Sequence, residues 1–462
     1  MEKALLIHVG QEDFSYTLAS KRDYAFKREV QIGFAYLAAA LAQHQVDVEI
    51  LDLTLNDCTF DHLMAKVNEE CPVFIGFYAA TTIKERVIDF VRFLVKNLSD
   101  KKILIGGPDI FNVDDYLTAG ADAFCIGEGE RTIIELLEYC RGQRELDSIK
   151  GLAYCQDGQI IHTPPRKLIE DLNELPIPAW DKYDLNCYYD FHVFDMKTPY
   201  TSIMASRGCP FNCTYCVSHK IWGNKLRYRS PEHVMNEIDY LVKEKGVRYI
   251  TFQDDIWGWN NDEWARSICL SLIDRKYDLK WRCILHPFSF KGSRKDILPL
   301  MRQAGCTSIT TGLQSASARI LKNINRSPKE PESLANLIGI AKRLGINNNT
   351  AFIFGLPGDT EESIEESIRY AIKVRPTFAA FYTLSVLPGS AIWSMEQHGH
   401  FSRLPPEFLE RKCREAARRF YTNPRILWQL FCSVIRTNPK WFLKAMNRMS
   451  YLTQFAGLSR QR

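Results

Sequence analysis

The sequence predicts an α/β protein with an N-terminal Rossmann-like domain, a partial (β/α)6 barrel and a small helical C-terminal region. In the first 140 residues, short apolar runs alternate with segments of helical periodicity, a pattern typical of a parallel sheet covered by helices. From about residue 199 to residue 394, a strand followed by a helix recurs six times, as in a β/α barrel. We expect the Rossmann-like domain at residues 1–145, a linker at 146–195, the barrel at 196–395 and the C-terminal region at 396–462.

The first domain is predicted to hold five strands with helices between them. The strands are expected at 4–9, 46–51, 73–77, 103–106 and 123–126, and the helices near 33–43, 82–98 and 130–140. Glycines cluster at the carboxyl ends of these strands, where sheets of this kind bind ligands. Glycine permits close approach of a backbone to a ligand, but it is also an ordinary turn residue. The pattern GxGxxG is absent, so no nicotinamide site is predicted.

The predicted linker contains a hairpin and a proline-rich stretch. Asp157-Gly158 suits a tight turn because both residues tolerate positive φ. The prolines of Thr163-Pro164-Pro165 and of the segment 175–180 cannot continue a helix or a central strand.

The barrel strands are expected at 201–206, 249–252, 281–285, 308–312, 350–354 and 380–386. The helix after the first connection is well marked, because Ser230 can cap its amide groups and Pro231 suits its first turn. A similar start is predicted at Asp359-Thr360-Glu361-Glu362. In such barrels the chemistry lies at the carboxyl ends of the strands.

Three cysteines, Cys209, Cys213 and Cys216, lie directly after the first barrel strand. Three soft thiolates on one loop suit an iron–sulfur cluster, whereas the usual cluster has four cysteine ligands, so one iron would be left open to a small molecule. A zinc site with His219 as a fourth ligand is the alternative that the residues themselves leave open.

The spacing CxxxCxxC, with the aromatic Tyr215 before the last cysteine, resembles the defining signature of the radical S-adenosylmethionine (radical SAM) superfamily. In the first domain, the segments 31–41, Gly106-Gly107-Pro108 and 126–130 resemble the cobalamin-binding domain found ahead of many radical SAM barrels. Neither His8 nor His44 lies in the DxHxxG motif that supplies a lower-axial histidine in other cobalamin proteins. If cobalamin binds, the resemblance therefore implies a form without that histidine.

The resemblance also implies which residues form the sites. The three cysteines would hold a [4Fe–4S] cluster as metal ligands and as the catalytic centre. The residues that would contact S-adenosylmethionine are Tyr215, Asp254, Asp255, Gln314, Ser315 and Gly355. Those expected at cobalamin are Gly106, Gly107, Gly127, Glu128 and Gly129.

Several of these positions have a second, structural explanation. Adjacent aspartates often cap a turn, and Gly355 lies in a run that suits a tight strand-to-helix turn. Gln314 stands where the family usually has glutamate, so a hydrogen bond to ribose is kept and a charge is lost. Trp222, Trp257 and Trp259 either shield a radical from water, form a pocket for an apolar or planar substrate, or fill space.

By resemblance, the cluster reductively cleaves S-adenosylmethionine to a 5′-deoxyadenosyl radical, which takes a hydrogen atom from an unactivated carbon. With cobalamin, carbon methylation in secondary metabolism is the expected reaction, and cyclisation or rearrangement by the same domain pair is the alternative. The methylthiotransferase branch is disfavoured, because Cys58, Cys71 and Cys125 lack its cysteine contexts. The expected partners are a small-molecule or natural-product substrate and an external one-electron reductant such as flavodoxin or ferredoxin.

Charge separates the C-terminal region from the rest of the chain. The net charge is +4, but residues 403–462 carry 13 Lys or Arg against 3 Asp or Glu. Aromatic residues are interleaved with these basic ones at Trp428, Phe431, Trp441, Phe442 and Tyr451. The plainest interpretation is a helical subdomain packed on the barrel, with peripheral contact to anionic lipid as a further hypothesis. Nucleic acid is not the expected partner.

The remaining features concern location and class. No secretory signal and no run of eighteen apolar residues is found, so a cytoplasmic protein with reduced thiols, at most peripheral to the membrane, is expected. The alternative of another class is a non-catalytic iron–sulfur protein that associates with an anionic surface.

Overall fold

The computed structural model describes residues 2–10, 27–55, 60–98, 100–190, 198–289, 296–398 and 404–437. The chain divides into two compact units. The first comprises Met1–Tyr188 with the short segments Ile221–Gly223 and Arg227–Arg229, and the second comprises the remainder.

The first unit is built on a seven-stranded sheet of order β3-β1-β4-β5-β6-β7-β8. The strands are β1 (Glu2–His8), β3 (Val46–Asp52), β4 (Phe74–Tyr78), β5 (Lys102–Gly106), β6 (Ala123–Cys125), β7 (Leu152–Gln156) and β8 (Gln159–His162), with a two-residue β2 at Lys27–Arg28. The first five strands of that order are parallel, whereas β7 and β8 are antiparallel to their neighbours. In β1 every residue from Ala4 to His8 is buried, as expected for a strand covered on both faces.

Helices cover both faces of this sheet. They are α1 (Ile32–Ala42), α2 (Phe60–Glu70), α3 (Lys84–Asn97), α4 (Val113–Thr118) and α5 (Gly129–Cys140). Two apolar clusters result, one centred on Leu5, Ile75 and Val91, and the other on Leu6, Phe74 and Leu137. Successive side chains of a strand point to opposite faces of the sheet, so Leu5 and Leu6 of β1 belong to different clusters. The sheet therefore has an apolar core on each face, which confirms the predicted layered architecture.

Two features of this unit differ from the sequence prediction. Helices α2 and α4 were not predicted; α2 buries only Leu63 and Val67, so its periodic signal is weak. The predicted linker contributes β7 and β8 to the sheet, joined by the expected turn, in which Asp157 and Gly158 have φ of 50° and 76°. Because the hairpin pairs with β6, residues 146–188 belong to the first unit rather than to a free connector.

The second unit contains a six-stranded parallel sheet in sequential order, which confirms the predicted partial barrel. Its strands are β10 (Tyr200–Ile203), β13 (Tyr249–Phe252), β14 (Lys280–Leu285), β15 (Cys306–Gln314), β16 (Asn347–Phe354) and β17 (Phe378–Thr383). Two-residue strands are found at β9 (Tyr189–Asp190) and β11 (Ser206–Arg207), whereas β12 (Arg227–Tyr228) belongs to a short segment of the first unit.

The helices of this part of the chain follow the strands in turn. They are α6 (Ser218–Trp222), α7 (Pro231–Lys243), α8 (Asp262–Arg275), α9 (Ile297–Gln303), α10 (Ala318–Asn323), α11 (Glu330–Leu344), α12 (Glu361–Val374) and α13 (Ala391–Gln397). Both predicted caps are present. Ser230 accepts a hydrogen bond from the amide of His233 at 3.1 Å, and Thr360 forms a capping box with Ser363.

The C-terminal region begins with two helices, α14 (Pro406–Tyr421) and α15 (Pro424–Thr437). Helix α14 packs on the edge strand β17, where Phe420 is fully buried and the Tyr421 hydroxyl donates to the Ala379 carbonyl at 3.0 Å. Helix α15 leaves Trp428 66% exposed. Trp441, Phe442 and Tyr451 lie outside the described residues, so lipid contact stays a prediction. Across the described ranges, we find no helix with the length and apolarity needed to cross a membrane.

Candidate active site

The cysteine loop lies between β11 and α6 in the second unit. The predicted strand 201–206 is interrupted there, because the Ala205 amide donates to the carboxylate of Asp254 at 2.8 Å instead of continuing the ladder. Gly208 follows with φ of 100°, a conformation that glycine adopts without strain. This break turns the chain out of the sheet just before Cys209.

Backbone hydrogen bonds hold the loop in place. The Cys216 amide donates to the Cys213 carbonyl at 3.1 Å, and Thr214 bonds through its amide to the Ile324 carbonyl at 3.4 Å and through its carbonyl to the Ile392 amide at 3.0 Å. The loop is therefore anchored by backbone hydrogen bonds to the segments that contain Ile324 and Ile392.

The three thiols lie in a dehydrated environment. Cys213 is buried, and Cys209 and Cys216 are partly buried. Burial raises the pKa of all three thiols, to about 12 for Cys209, and the charges of the other two cysteines and of Asp255 raise the Cys209 pKa further. Iron would compensate the thiolate charges that burial disfavours, since a metal deprotonates its coordinating thiols. The donor set therefore fits a cluster.

The two adjacent aspartates after β13 have different surroundings. Asp254 is fully buried, and its oxygens accept hydrogen bonds from the Ala205 amide and the Ser206 hydroxyl, each at 2.8 Å. Asp255 is close enough to Cys209 and Cys216 to raise the pKa of both thiols. Burial raises the pKa of its own carboxyl. Asp254 thus shapes the turn, and Asp255 is the carboxylate beside the cysteine loop.

Asp254 leads to a prediction about pH and stability. Burial raises the pKa of its carboxyl from 3.8 to about 7. Between about pH 4 and pH 7 the folded state keeps a proton that the unfolded chain has lost, so stability should fall as pH rises through this window, by on the order of 4 kcal/mol. Unfolding of the apo-protein in urea at several pH values, followed by hydrogen exchange in the second unit, measures this slope. D254N should flatten it, while D274N, at an exposed position, should not.

Gln314 and Ser315 end the fourth barrel strand. Gln314 has φ of 71°, and the pairing register with β16 shifts at this point. Such irregularities near strand ends re-aim side chains and cluster at functional sites. Ser315 is buried, and its hydroxyl bonds to the Ser317 amide and to Ser367. Gln314 is therefore the better placed of the two predicted contacts.

Gly355, predicted near adenine, has φ of 88°. A Cβ at this position would come within 2.6 Å of the Leu409 Cδ1 atom of α14. The amides of Gly355 and Leu356 both donate to the carboxylate of Asp359. The turn at the end of β16 is thus fixed by a carboxylate on one side and by α14 on the other.

The tryptophans near these loops separate into two roles. Trp257 is fully buried and packs against Trp264 and Trp281, so it belongs to the core. The ring of Trp259 lies 5.0 Å from Phe211 of the cysteine loop and 5.3 Å from His286. Of the two, only Trp259 shields the loop.

In the first unit, the predicted glycines divide by what surrounds them. A Cβ on Gly107 would lie 2.3 Å from the Ala79 carbonyl oxygen, and one on Gly129 would lie 3.2 Å from Leu37. These two glycines serve packing. A Cβ on Gly106 would make an ordinary contact, and one on Gly127 would have no heavy atom within 4 Å. Gly127 therefore leaves room for a ligand atom at the carboxyl edge of the sheet, where ligands of such sheets bind.

Glu128 has a structural partner that sequence reasoning missed. Its carboxylate accepts the Ile169 amide at 2.6 Å and bonds to Nη1 of Arg227 at 2.9 and 3.0 Å. The side chains of Glu128 and Arg227 are 2% and 4% exposed. This carboxylate therefore stabilises the first unit from within.

His8 ends β1, next to the point where the strand order reverses between β3, β1 and β4. Its Nδ1 lies 3.2 Å from a carboxylate oxygen of Asp52, and its Nε2 lies 3.2 Å from the side-chain Nε2 of Gln31. The ring packs edge-on against Tyr78 at the end of β4. Ligands of open α/β sheets bind at such a reversal, so His8, Tyr78 and the open glycines mark the expected cobalamin edge.

The chain combines a Rossmann-like domain with a partial barrel that has three cysteines in the loop after its first strand. This combination is typical of iron–sulfur enzymes that carry a separate cofactor-binding domain. The comparisons with known proteins agree with this class. Residues 203–371 match the radical SAM superfamily, and residues 27–137 match the B12 binding domain.

Relatives and a solved structure narrow the assignment. The chain is 31% identical over 366 residues to an uncharacterised methyltransferase of Pyrococcus horikoshii, covering 78% of this chain and 77% of the relative. It is 28% identical to the cytidylyl-2-hydroxyethylphosphonate methyltransferase of Streptomyces wedmorensis, covering 78% and 76%. The fold is shared with the radical SAM methyltransferase TsrM from Kitasatospora setae, at a TM-score of 0.70 and 17% identity, covering 86% of this chain and 76% of that one.

The chain belongs to the cobalamin-dependent radical SAM enzymes, in the family of the methyltransferases to which it is similar. The predicted resemblance, the fold class and the cofactors are confirmed at this level: a [4Fe–4S] cluster, S-adenosylmethionine and cobalamin are the cofactors of the family. Enzymes of this family act on small molecules and need a reductant. The roles given to individual site residues stay predictions.

Proposed function

We propose that this enzyme reductively cleaves S-adenosylmethionine at a cluster on Cys209, Cys213 and Cys216 and transfers a methyl group to an unactivated carbon of a small molecule. The observation that carries the proposal is three buried or partly buried thiols on one anchored loop, in a chain that also matches the B12 binding domain. When bound, the cluster supplies one electron, S-adenosylmethionine supplies the radical precursor, and cobalamin supplies the methyl group.

The protein's own groups would bind and orient S-adenosylmethionine. Asp255 offers a carboxylate beside the cysteine loop, which suits the ammonium group electrostatically. Gln314 offers hydrogen bonds without charge, which suits a ribose hydroxyl. The backbone of Gly355, held by Asp359, suits the adenine edge. Phe211 and Trp259 exclude water from one side of the loop.

Turnover under anaerobic conditions tests the proposal. Purified protein with reconstituted iron and sulfide, S-adenosylmethionine and a one-electron reductant should yield 5′-deoxyadenosine, and protein produced with cobalamin available should retain a corrinoid visible in its absorption spectrum. A product heavier by one methyl group supports methylation. A product of unchanged carbon count would favour cyclisation or rearrangement, and a cluster-containing protein that forms no 5′-deoxyadenosine would favour the non-catalytic class.

We further propose that neither His8 nor His44 would be a ligand of bound cobalamin. Both ring nitrogens of His8 are engaged, by Asp52 and by Gln31, and His44 lies in the exposed turn after α1. In the cobalt(II) form, the electron paramagnetic resonance lines should therefore lack the splitting that a coordinated nitrogen causes. H8Q and the exposed control H44Q should leave the spectrum unchanged. Nitrogen splitting that disappears in H8Q alone would show that His8 is a ligand.

A further inference from the structure

A buried arginine lies behind the cysteine loop. Arg326, in the connection between α10 and α11, has a side chain that is 6% exposed. Its Nη1 donates to the Tyr215 hydroxyl at 3.2 Å, and its Nη2 donates to the Gly312 carbonyl at 2.8 Å. The guanidinium thus joins the cysteine loop to the fourth barrel strand.

An ion pair fixes this guanidinium. The Nε atom of Arg326 donates to Glu330 Oε2 at 2.8 Å, and Nη2 bonds to the same oxygen. The other oxygen of Glu330 accepts the Ser327 amide at 3.1 Å. Because Glu330 is 2% exposed, the pair is shielded from solvent and salt. An arginine in such a fork keeps both its charge and its orientation.

On its other side, Glu330 faces His286, whose ring packs against the cysteine loop. Nε2 of His286 lies 3.6 Å from Glu330 Oε1. The His286 ring stacks on Phe211, with centroids 4.2 Å apart and planes inclined by 9°. Phe211 and Tyr215 stand on either side of Cys213 in the sequence, so one buried network contacts the loop on both sides of this cysteine.

The segment that carries Arg326 runs beside Cys213. The Thr214 amide donates to the Ile324 carbonyl at 3.4 Å, and the Asn325 side-chain amide donates to the Asn212 carbonyl at 3.1 Å, so residues on both sides of Cys213 are bonded to the two residues before Arg326. Hydrogen bonds to the sulfurs, net charge and solvent exposure are the factors by which a protein sets the reduction potential of an iron–sulfur cluster. Adding an electron makes a cluster more negative, so a fixed cation nearby favours the reduced form.

We propose that Arg326 is a positioning residue that raises the reduction potential of the cluster, by holding a permanent positive charge and hydrogen-bond donors beside Cys213. Glu330 fixes its orientation. Sequence reasoning missed both residues, because an arginine and a glutamate four residues apart look like an ordinary surface pair. The inference rests on the proposed function, since it requires a cluster on the three cysteines.

The test is a redox titration of the reconstituted full-length protein with dithionite, without S-adenosylmethionine, monitored by the paramagnetic resonance of the reduced cluster. At the wild-type midpoint, R326Q should lower the ratio of reduced to oxidised cluster about tenfold, which equals about 59 mV for one electron. R326K keeps the positive charge, so its ratio of reduced to oxidised cluster should stay within about threefold of the wild-type ratio. R369Q, which removes an exposed arginine paired with a glutamate four residues away, should leave the potential unchanged.

The outcomes separate the inference from the proposed function. R326Q with full iron content and the wild-type potential would overturn the inference and leave the function intact. A wild-type protein that forms no [4Fe–4S] cluster would overturn the proposed function, and this inference with it. If R326Q does not fold because it leaves the buried Glu330 carboxylate unpaired, the double variant R326Q/E330Q, which removes both charges, is measured instead. Its potential should still be lower than that of wild type, because the guanidinium that donates to the Tyr215 hydroxyl of the cysteine loop is lost, and an unchanged value would overturn the inference.

Discussion

Replacement of Cys213 by alanine should abolish cluster assembly and the formation of 5′-deoxyadenosine. Cys213 is the most buried of the three cysteines on the loop, and each of the three would supply one protein ligand of the cluster. Loss of an outer partner of a metal ligand already costs 10–100-fold in affinity or activity. Loss of the ligand itself should exceed about 100-fold.

The measurement is iron and sulfide content, together with the broad visible absorbance of the cluster, after anaerobic reconstitution. C413S is the matched control, because Cys413 is also partly buried but lies on α14. It should retain the cluster and its activity. A C213A protein that keeps a full complement of iron and sulfide and still yields 5′-deoxyadenosine would remove the basis of the proposed function. Four-coordinate zinc without sulfide in the wild type would do the same.

The features that were predictable from the sequence are those encoded locally. A strand such as β1 is predicted by its consecutive apolar residues. The helix caps at Ser230 and Thr360 are predicted by residues within one helical turn. The three cysteines lie within eight residues of one another. In each of these features, the residues that interact are also close in sequence, so the sequence alone was enough to predict them.

The features that were missed depend on contacts between distant parts of the chain. Arg326 meets Tyr215 across 111 positions, and Glu128 meets Arg227 across 99. In the sequence each of these charged residues looks solvent-exposed, because charged side chains are almost never fully buried unless they are paired. Only the fold shows the pairing, and with it the reason why Glu128 contributes to stability from inside the first unit.

Removal of one partner of the buried ion pair between Glu128 and Arg227 should therefore destabilise the first unit strongly. R227M removes the cation and leaves a buried carboxylate, which Arg227 now contacts at 2.9 Å. Breaking a buried pair in this way typically costs about 3–5 kcal/mol, because the remaining charge is uncompensated. The double variant R227M/E128Q removes both charges, so it should recover a large part of that loss.

Hydrogen exchange of peptides from the first unit, measured in low concentrations of urea, reports this loss without assuming that the whole chain unfolds in one step. R131M is the matched control, since Arg131 pairs with Glu174 in the same unit with side chains that are 53% and 57% exposed. An exposed pair of this kind contributes at most about 1 kcal/mol. Equal exchange rates in R227M and R131M would mean that the buried pair contributes no more than a surface one, whereas recovery in R227M/E128Q would identify the unpaired carboxylate of Glu128 as the cause of the loss.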